Sequence, residues 1–180
     1  MTARRITSPT LPRFLSRLAR SRDGATAVEF AFVALPFFSI VFAIFQIGTV
    51  FLAQQVLQTA VTKSARLIMT GQAQNAAMTS SQFQTDVCNN AKAMFTCSGL
   101  KVNVQKFNSF TSVTQLNPLV NGTFNSASLS YNTGGVGDIM MVQVFYQWPV
   151  FIGPLGFNMS NMNGNYRLLM GTAVFRNEPF

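Results

Sequence analysis

The longest apolar run of the chain lies near its N-terminus. Between residues 25 and 62 the only ionisable side chain is that of Glu29, and residues 30–52 are nearly all apolar. As a helix, this run would be about 34 Å long, against about 30 Å for the hydrocarbon core of a bilayer. The pattern therefore predicts a transmembrane helix over 25–53, in which Pro36 can introduce a kink.

Beyond residue 52 the pattern becomes that of an amphipathic helix. Apolar residues recur at spacings of three and four, namely Val56, Leu57, Ala60, Val61, Ala65 and Ile68. The polar residues mostly fall on the other side: Gln54, Gln55, Gln58, Lys63 and Arg66. Gly71 is a suitable helix stop. We expect one helix over about 25–70, whose part 54–70 packs its apolar stripe on its own domain or, alternatively, on a partner helix.

The only two cysteines, Cys88 and Cys97, flank the end of a second predicted helix over 81–95. Apolar residues of that segment share one face: Phe83, Val87, Ala91 and either Met94 or Phe95. A disulfide would close a loop of ten residues, which stabilises a fold by roughly 2.5–3 kcal/mol in the chain-entropy model. The alternatives are a buried thiol pair or a catalytic cysteine, and the second lacks a histidine to activate it.

The rest of the chain has the alternation and β-branched content of strands. Strands are predicted within 101–176, at 101–107, 127–131, 139–148 and 166–176. Stretches rich in Gly, Asn and Pro separate them. An antiparallel sheet buried on one face would explain the alternation. Folded against the helix 54–70, it gives an α+β domain over residues 54–180.

Two loops of this region call for interpretation. Residues 131–138 contain GGVG but lack the frame of a phosphate-binding loop, and a predicted strand follows, so they are expected to form a turn. Trp148 and Pro149, together with residues 152–157, are expected to form an exposed apolar loop. They are interpreted as a plug in the core or a contact with the membrane surface, with a contact to a partner as the alternative.

Charge sets the predicted orientation of the helix. Six of the 13 basic residues precede residue 23, at Arg4, Arg5, Arg13, Arg17, Arg20 and Arg22. By the positive-inside rule this end stays in the cytoplasm, and the domain faces the periplasm of a diderm bacterium. A cleaved secretory signal is disfavoured because its apolar region would be much shorter. A soluble core helix is disfavoured because the arginine block directly precedes the run.

Composition narrows the function classes. The net charge of +8 would suit nucleic acid, but the basic residues are scattered or lie beside the apolar run, so no nucleic-acid partner is expected. The chain has no histidine and only five carboxylates. Little is therefore left for a metal site or for acid–base catalysis, and the sequence favours a non-enzymatic protein without a cofactor.

The junction between the basic leader and the helix carries the most specific motif. Residues 20–32 read RSRDGATAVEFAF, so that Gly24 closes the leader, Glu29 is the fifth residue after it, and Phe30 follows. This resembles the processing site of type IV prepilins and pseudopilins. With the long Phe-rich helix, it resembles the TadE/TadG-like family, pseudopilin-like proteins of the tight-adherence (Flp) pilus system. The C-terminal sequence RNEPF, residues 176–180, is also similar to that family.

This resemblance implies a pilin-like fold, a long N-terminal helix laid on an antiparallel sheet, and a set of roles. A membrane-embedded prepilin peptidase would cut between Gly24 and Ala25, removing a basic cytoplasmic leader over 1–24. Glu29, with Phe30 beside it, would act in assembly in the inner membrane. The implied function is that of a minor pseudopilin-like component, with pilins and other minor pseudopilins or assembly subunits as partners.

The chemistry of Glu29 supports such a role independently. A lone carboxylate at the edge of hydrocarbon costs several kcal/mol unless it is neutralised or paired. Cleavage would create an α-amine on Ala25, about 7 Å away along the helix, which could pair with Glu29 in the same chain or in a neighbour. The alternative is a capping box, in which Thr26 caps the helix and Glu29 bonds back to the cap amide.

A second function class remains open at this point. The same anchor and domain would suit a membrane-tethered periplasmic binding or scaffold protein unrelated to pili. Such a protein would keep its leader and would need no partner for Glu29.

Overall fold

The computed structural model describes residues 23–153 and 156–180. Helix α1 runs from Asp23 to Met69 and contains Pro36. Two shorter helices follow, α2 over Gln72–Asn75 and α3 over Ser80–Ala91. The strands are β1 (Lys101–Phe107), β2 (Leu119–Val120), β3 (Thr123–Phe124), β4 (Ile139–Pro149) and β5 (Tyr166–Arg176). The six predicted leader arginines lie outside the described residues, as do residues 154–155 of the apolar loop.

Helix α1 ends where the sequence predicted a stop. Gly71 has a φ of 78°, in the left-handed region, and its N–H donates to the carbonyl of Ile68 at 3.1 Å. The ring of Phe180, the last residue, lies directly over Gly71, where an added Cβ would overlap it. Glycine is therefore favoured twice at this position, by its backbone conformation and by the packing of the C-terminus.

The fold is α+β, as predicted. The main sheet has the order β1-β4-β5, with both pairs antiparallel. Val142 of the central strand β4 lies opposite Val104 of β1 and Ala173 of β5. A small hairpin joins β2 to β3 through Asn121 and Gly122, both with positive φ, as a two-residue hairpin turn requires.

The hydrophobic core of the domain lies between the second half of α1, helix α3 and one face of the sheet. The predicted stripe of α1 is buried there at Leu57, Ala60, Val61, Ala65 and Ile68, and Val50 and Ala53 extend it toward the N-terminus. The sheet contributes Val104, Met140, Val142 and Val144, and α3 contributes Phe83 and Val87. The stripe is thus covered by the chain's own domain, which is the first of the two arrangements considered above.

The prediction that the glutamines of α1 lie mostly away from the domain was wrong for two of them. Gln54 donates to the carbonyl of Met170 at 2.7 Å. Gln58 donates to the carbonyl of Thr172 at 2.8 Å and accepts from the Thr172 N–H at 3.0 Å. Four helical residues and two strand residues both advance by about 6–7 Å, so the two glutamines match alternate residues of β5. They satisfy backbone groups of an edge strand that would otherwise be unpaired.

The prediction of one-sided burial was also wrong, because β4 is buried on both faces. On the face away from α1, the side chains of Asn103 and Gln143 are fully buried and hydrogen-bonded to each other at 3.1 Å. The segment between β1 and β4 covers them: the Leu116 N–H donates to Gln143 and the Ser130 N–H donates to Asn103. The polar residues Asn103 and Gln143 of these alternating strands therefore belong to a second buried layer and do not form a solvated face.

Two predicted elements differ in extent or type. Residues 127–131 are not a strand: Ser126–Ser128 form a 3-10 turn that follows the side-chain cap of Asn125, and only Tyr131 forms a bridge, with Val104. Helix α3 ends at Ala91 instead of at residue 95, although Phe95 is still buried. Its start is fixed by a capping box between Thr79 and Gln82.

A close approach of helix and sheet at Gly171 gives a first prediction. A Cβ added to Gly171 of β5 would lie 2.7 Å from Val61 Cγ2 and 3.2 Å from the Leu57 carbonyl oxygen. We expect Gly171→Ala to destabilise the domain by about 1–3 kcal/mol through overpacking. Urea unfolding of the purified protein followed by circular dichroism measures the change.

Gly135 supplies the matched control for that substitution. A Cβ there would meet no atom closer than 3.7 Å, so Gly135→Ala should leave the stability nearly unchanged. Combining Val61→Ala with Gly171→Ala should cost less than the sum of the two single variants, because Val61→Ala removes the nearest clashing atom. Equal stabilities of the two glycine variants would contradict this account of the packing.

Candidate membrane anchor and assembly site

The predicted processing and assembly residues lie together in the first described turns of α1. Residues 24–30 are helical and solvent-exposed throughout. A Cβ on Gly24 would meet no atom within 4 Å, so the backbone at the predicted cleavage site is unobstructed by the described residues. Gly24, Ala25, Glu29 and Phe30 thus share one accessible segment, whereas Cys88 and Cys97 belong to the domain.

The capping-box interpretation of Glu29 does not fit the helix. Residues 23–25 are already helical, so Thr26 lies inside α1 and cannot occupy its N-cap. The N-cap position requires a non-helical backbone, which leaves Thr26 without that role in the uncut chain. Glu29 therefore needs another explanation for its place at the start of an apolar run.

Glu29 has no ionic partner among the described side chains. Among residues 23–153 and 156–180, the one salt bridge joins Lys106 to Asp138, with 2.9 Å between the Lys106 Nζ and the Asp138 Oδ2. Glu29 is followed by Phe30, which is 69% exposed, and by a long series of exposed apolar residues. A carboxylate in this setting is available to pair with a cation that approaches the helix from outside.

The N-terminal half of α1 is an apolar helix without a packing partner in the described part of the chain. Only 11% of its most apolar 18-residue window is buried, whereas the core helix of a soluble domain would be mostly buried. The exposed side chains include Phe32, Val33, Leu35, Phe37, Phe38 and Ile40. By length and composition, the helix is long and apolar enough to cross a membrane.

The junction between this exposed half and the domain lies near Gln46. The Gln46 side chain donates to the carbonyl of Phe151 at 2.8 Å, and Val50, one turn further on, is 4% exposed. From this point α1 is part of the domain core. The apolar run 30–52 read from the sequence therefore differs along its length: before Gln46 nearly all of its large side chains are exposed, whereas after Gln46 one face, with Val50, enters the core and the other, with Phe51 and Leu52, stays exposed.

The two cysteines form the predicted disulfide. Cys88, fully buried on α3, is joined to Cys97 with a Cα–Cα distance of 5.3 Å. The intervening turn brings Phe95 against Tyr146 and Trp148, with ring centroids 4.8 and 5.7 Å apart. The bond thus fixes the end of α3 to the aromatic end of the sheet.

The C-terminal tail has a structural role that the sequence did not reveal. Asn177, which is buried, donates to the carbonyls of Thr133 and Gly135, at 3.1 and 2.9 Å. The Glu178 N–H donates to the carbonyl of Met69 at the end of α1, at 2.8 Å. The tail therefore joins the glycine-rich loop 131–138 to the helix terminus. The sequence did contain one indication of this role, an asparagine directly after a strand, because its side-chain amide can donate to two carbonyls at once.

The glycine-rich loop is held from within by Asp138. Its carboxylate accepts from the Gly135 N–H at 2.7 Å and pairs with Lys106. The Gly135 hydrogen bond, and then that of Lys106, hold the pKa of Asp138 below its ordinary value. At the start of the loop, burial raises the pKa of Tyr131 to about 12. These contacts are those of a structural turn, and strand β4 follows directly.

The architecture defines a class: a long, lipid-compatible N-terminal helix that continues into a small α+β domain with an antiparallel sheet. Residues 24–66 match the family model described as TadE-like protein. The chain is therefore TadE-like over the segment that holds Gly24, Glu29 and most of α1, as the motif at the junction suggested. No curated protein and no solved structure matches the chain.

Proposed function

We propose that this protein is a minor pseudopilin-like component of tight-adherence pilus assembly, which acts by protein–protein assembly rather than by catalysis. It would be a single-pass protein of the inner membrane, with its N-terminus in the cytoplasm and residues from about 46 onward in the periplasm. The observation that carries the proposal is the TadE-like match over residues 24–66, which includes an exposed Glu29 at the start of an unpartnered apolar helix.

The packing of the domain supports a membrane span nearer the N-terminus than the apolar run suggests. One face of α1 enters the domain core from near Gln46, although Phe51 and Leu52 on its other face stay exposed, so the proposed lipid-facing helix covers about residues 25–45. That is about 31 Å of helix, close to the hydrocarbon thickness of a bilayer. This shift places Glu29 deeper below the cytoplasmic surface, which raises the cost of leaving its carboxylate unpaired.

The free-energy cost of an unpaired Glu29 carboxylate in lipid would favour assembly with a partner that supplies a cation. Cleavage after Gly24 would leave an α-amine on Ala25, the nearest cation that a neighbouring helix of the same type could offer. A carboxylate in lipid is stabilised when a cation on a neighbouring helix pairs with it. Such pairing would fix the register of the packed helices. The proposed partners are the prepilin peptidase for processing, and pilins or other minor pseudopilins for assembly.

Processing can be tested by intact-mass measurement of protein extracted from the native membrane. The expected mature chain begins at Ala25, and Gly24→Val should retain the leader because a β-branched residue would obstruct the peptidase. Gly48→Val is the matched control, since a Cβ at either glycine meets no atom within 4 Å. A wild-type chain that still carries its arginines would reject processing but leave the anchor intact.

A membrane-tethered periplasmic binding or scaffold protein is the second candidate. It is favoured by one observation: the apolar stripe of α1 is already covered by the chain's own domain, so the domain needs no partner to complete its core. In that case the leader would stay attached and Glu29 would be replaceable. The Glu29 variant described in the Discussion separates the two candidates.

A further inference from the structure

An exposed apolar pair lies at one end of the sheet. Phe151 and Ile152, directly after β4, are 70% and 58% exposed. The neighbouring Val150 is buried in the core, so the backbone of this loop is anchored while the two apolar side chains point away from the domain. Phe151 and Ile152 themselves therefore do not fill the core, whereas Val150 does. An exposed pair of this kind calls for an apolar environment.

The position of this pair along α1 is fixed by hydrogen bonds. Gln46 donates to the Phe151 carbonyl, and Gln54 and Gln58 bond to Met170 and Thr172 of β5. Helix and strand therefore run in the same direction, and the beginning of β5 lies at the level of the Gln46 end of the helix. The loop carrying Phe151 and Ile152 is thus level with the point where the lipid-facing part of α1 ends.

The same end of the sheet holds residues that are typical of a membrane interface. Trp148, the only tryptophan, is paired with Arg167, and the next pair is Pro149 with Tyr166, which is 40% exposed. Tryptophan and tyrosine concentrate at the headgroup level of bilayers, and arginine favours anionic headgroups. The acidic residues Asp138 and Glu178 lie at the opposite end of the sheet, beside the start of β4 and the end of β5.

We propose that Phe151 and Ile152 insert into the boundary between headgroups and acyl chains of the membrane that α1 crosses. The occupant of this apolar surface is lipid, because the surface is level with the end of the lipid-facing helix and is flanked by Trp148, Tyr166 and Arg167. The loop 150–153 would then be a second point at which the domain contacts the bilayer. This inference rests on the proposed membrane span of α1.

Depth-dependent quenching tests the inference in the full chain. Ile152→Cys and Val136→Cys would each be labelled with a bimane fluorophore and reconstituted into vesicles of phosphatidylethanolamine and phosphatidylglycerol. Val136 is the matched control, because it is 55% exposed and lies beside the opposite end of the sheet. The native cysteines form the disulfide and leave the introduced thiol as the labelling site.

The expected result is strong quenching of the label at 152 by lipids brominated near the headgroup, with weak quenching by aqueous iodide. The label at 136 should show the reverse. Equal iodide quenching of both labels in vesicle-bound protein would overturn the inference and leave the anchor standing. Protection of position 152 from both quenchers would indicate a protein contact and also overturn it. Protein that alkaline carbonate washes off the vesicles would remove the anchor and the inference together.

Discussion

Replacing Glu29 with Gln is expected to abolish co-purification with other pilus subunits while leaving membrane insertion and folding unchanged. The amide is nearly isosteric with the carboxylate but carries no charge, so the ion pair with a neighbour's α-amine is lost. A buried charge left without its partner typically costs about 3–5 kcal/mol, which corresponds to a loss of association of two orders of magnitude or more. Crosslinking in the membrane, mapped to residues 25–45, measures the loss.

Glu178→Gln is the matched control for this variant. Glu178 is an exposed carboxylate of the domain, so the substitution removes the same charge without touching the helix surface in the membrane. Both variants should show the same carbonate-resistant membrane fraction and the same domain stability. Normal assembly of the Glu29 variant would reject the pairing mechanism and favour the tethered binding protein instead.

The long helix and the sheet could be predicted because each follows from a local pattern. The apolar run and Gly71 define α1, and the alternation in 101–107, 139–148 and 166–176 defines the three strands of the main sheet. The junction motif was equally readable, since Gly24 and Glu29 stand at a fixed spacing at the start of an apolar run. These signals depend on residues close together in the sequence.

The remaining features depend on contacts between distant residues. Gln58 looks like a surface residue until β5 is placed beside it, because its role is to bond the backbone of Thr172. Asn103 and Gln143 look solvent-facing in alternating strands, yet the segment around Leu116 and Ser130 buries them. The border between the exposed apolar part of α1 and the part that packs in the core was hidden for a related reason, since both parts consist of apolar side chains.

Loss of the disulfide is expected to have the largest effect on the stability of the domain. The double variant Cys88→Ala, Cys97→Ser should unfold about 2.5–3 kcal/mol more easily, which corresponds to a melting temperature lowered by roughly 10 °C. Alanine suits the fully buried position 88 and serine the exposed position 97. Thermal unfolding followed by the fluorescence of Trp148 reports directly on this region, because the loop closed by the disulfide packs Phe95 against that ring.

Adding a reductant distinguishes the effect of the disulfide bond on stability from the effect of replacing the cysteine side chains. Dithiothreitol should destabilise the wild-type protein to near the level of the double variant and leave the variant unchanged. The same chemistry tests the orientation, because structural disulfides form in the periplasm but not in the reducing cytoplasm. Thiols in protein taken directly from cells should resist alkylation until a reductant is added. Two freely alkylated cysteines would place the domain on the cytoplasmic side, and Glu29 would then enter the bilayer from the opposite face, away from the peptidase and the subunits with which it is proposed to pair.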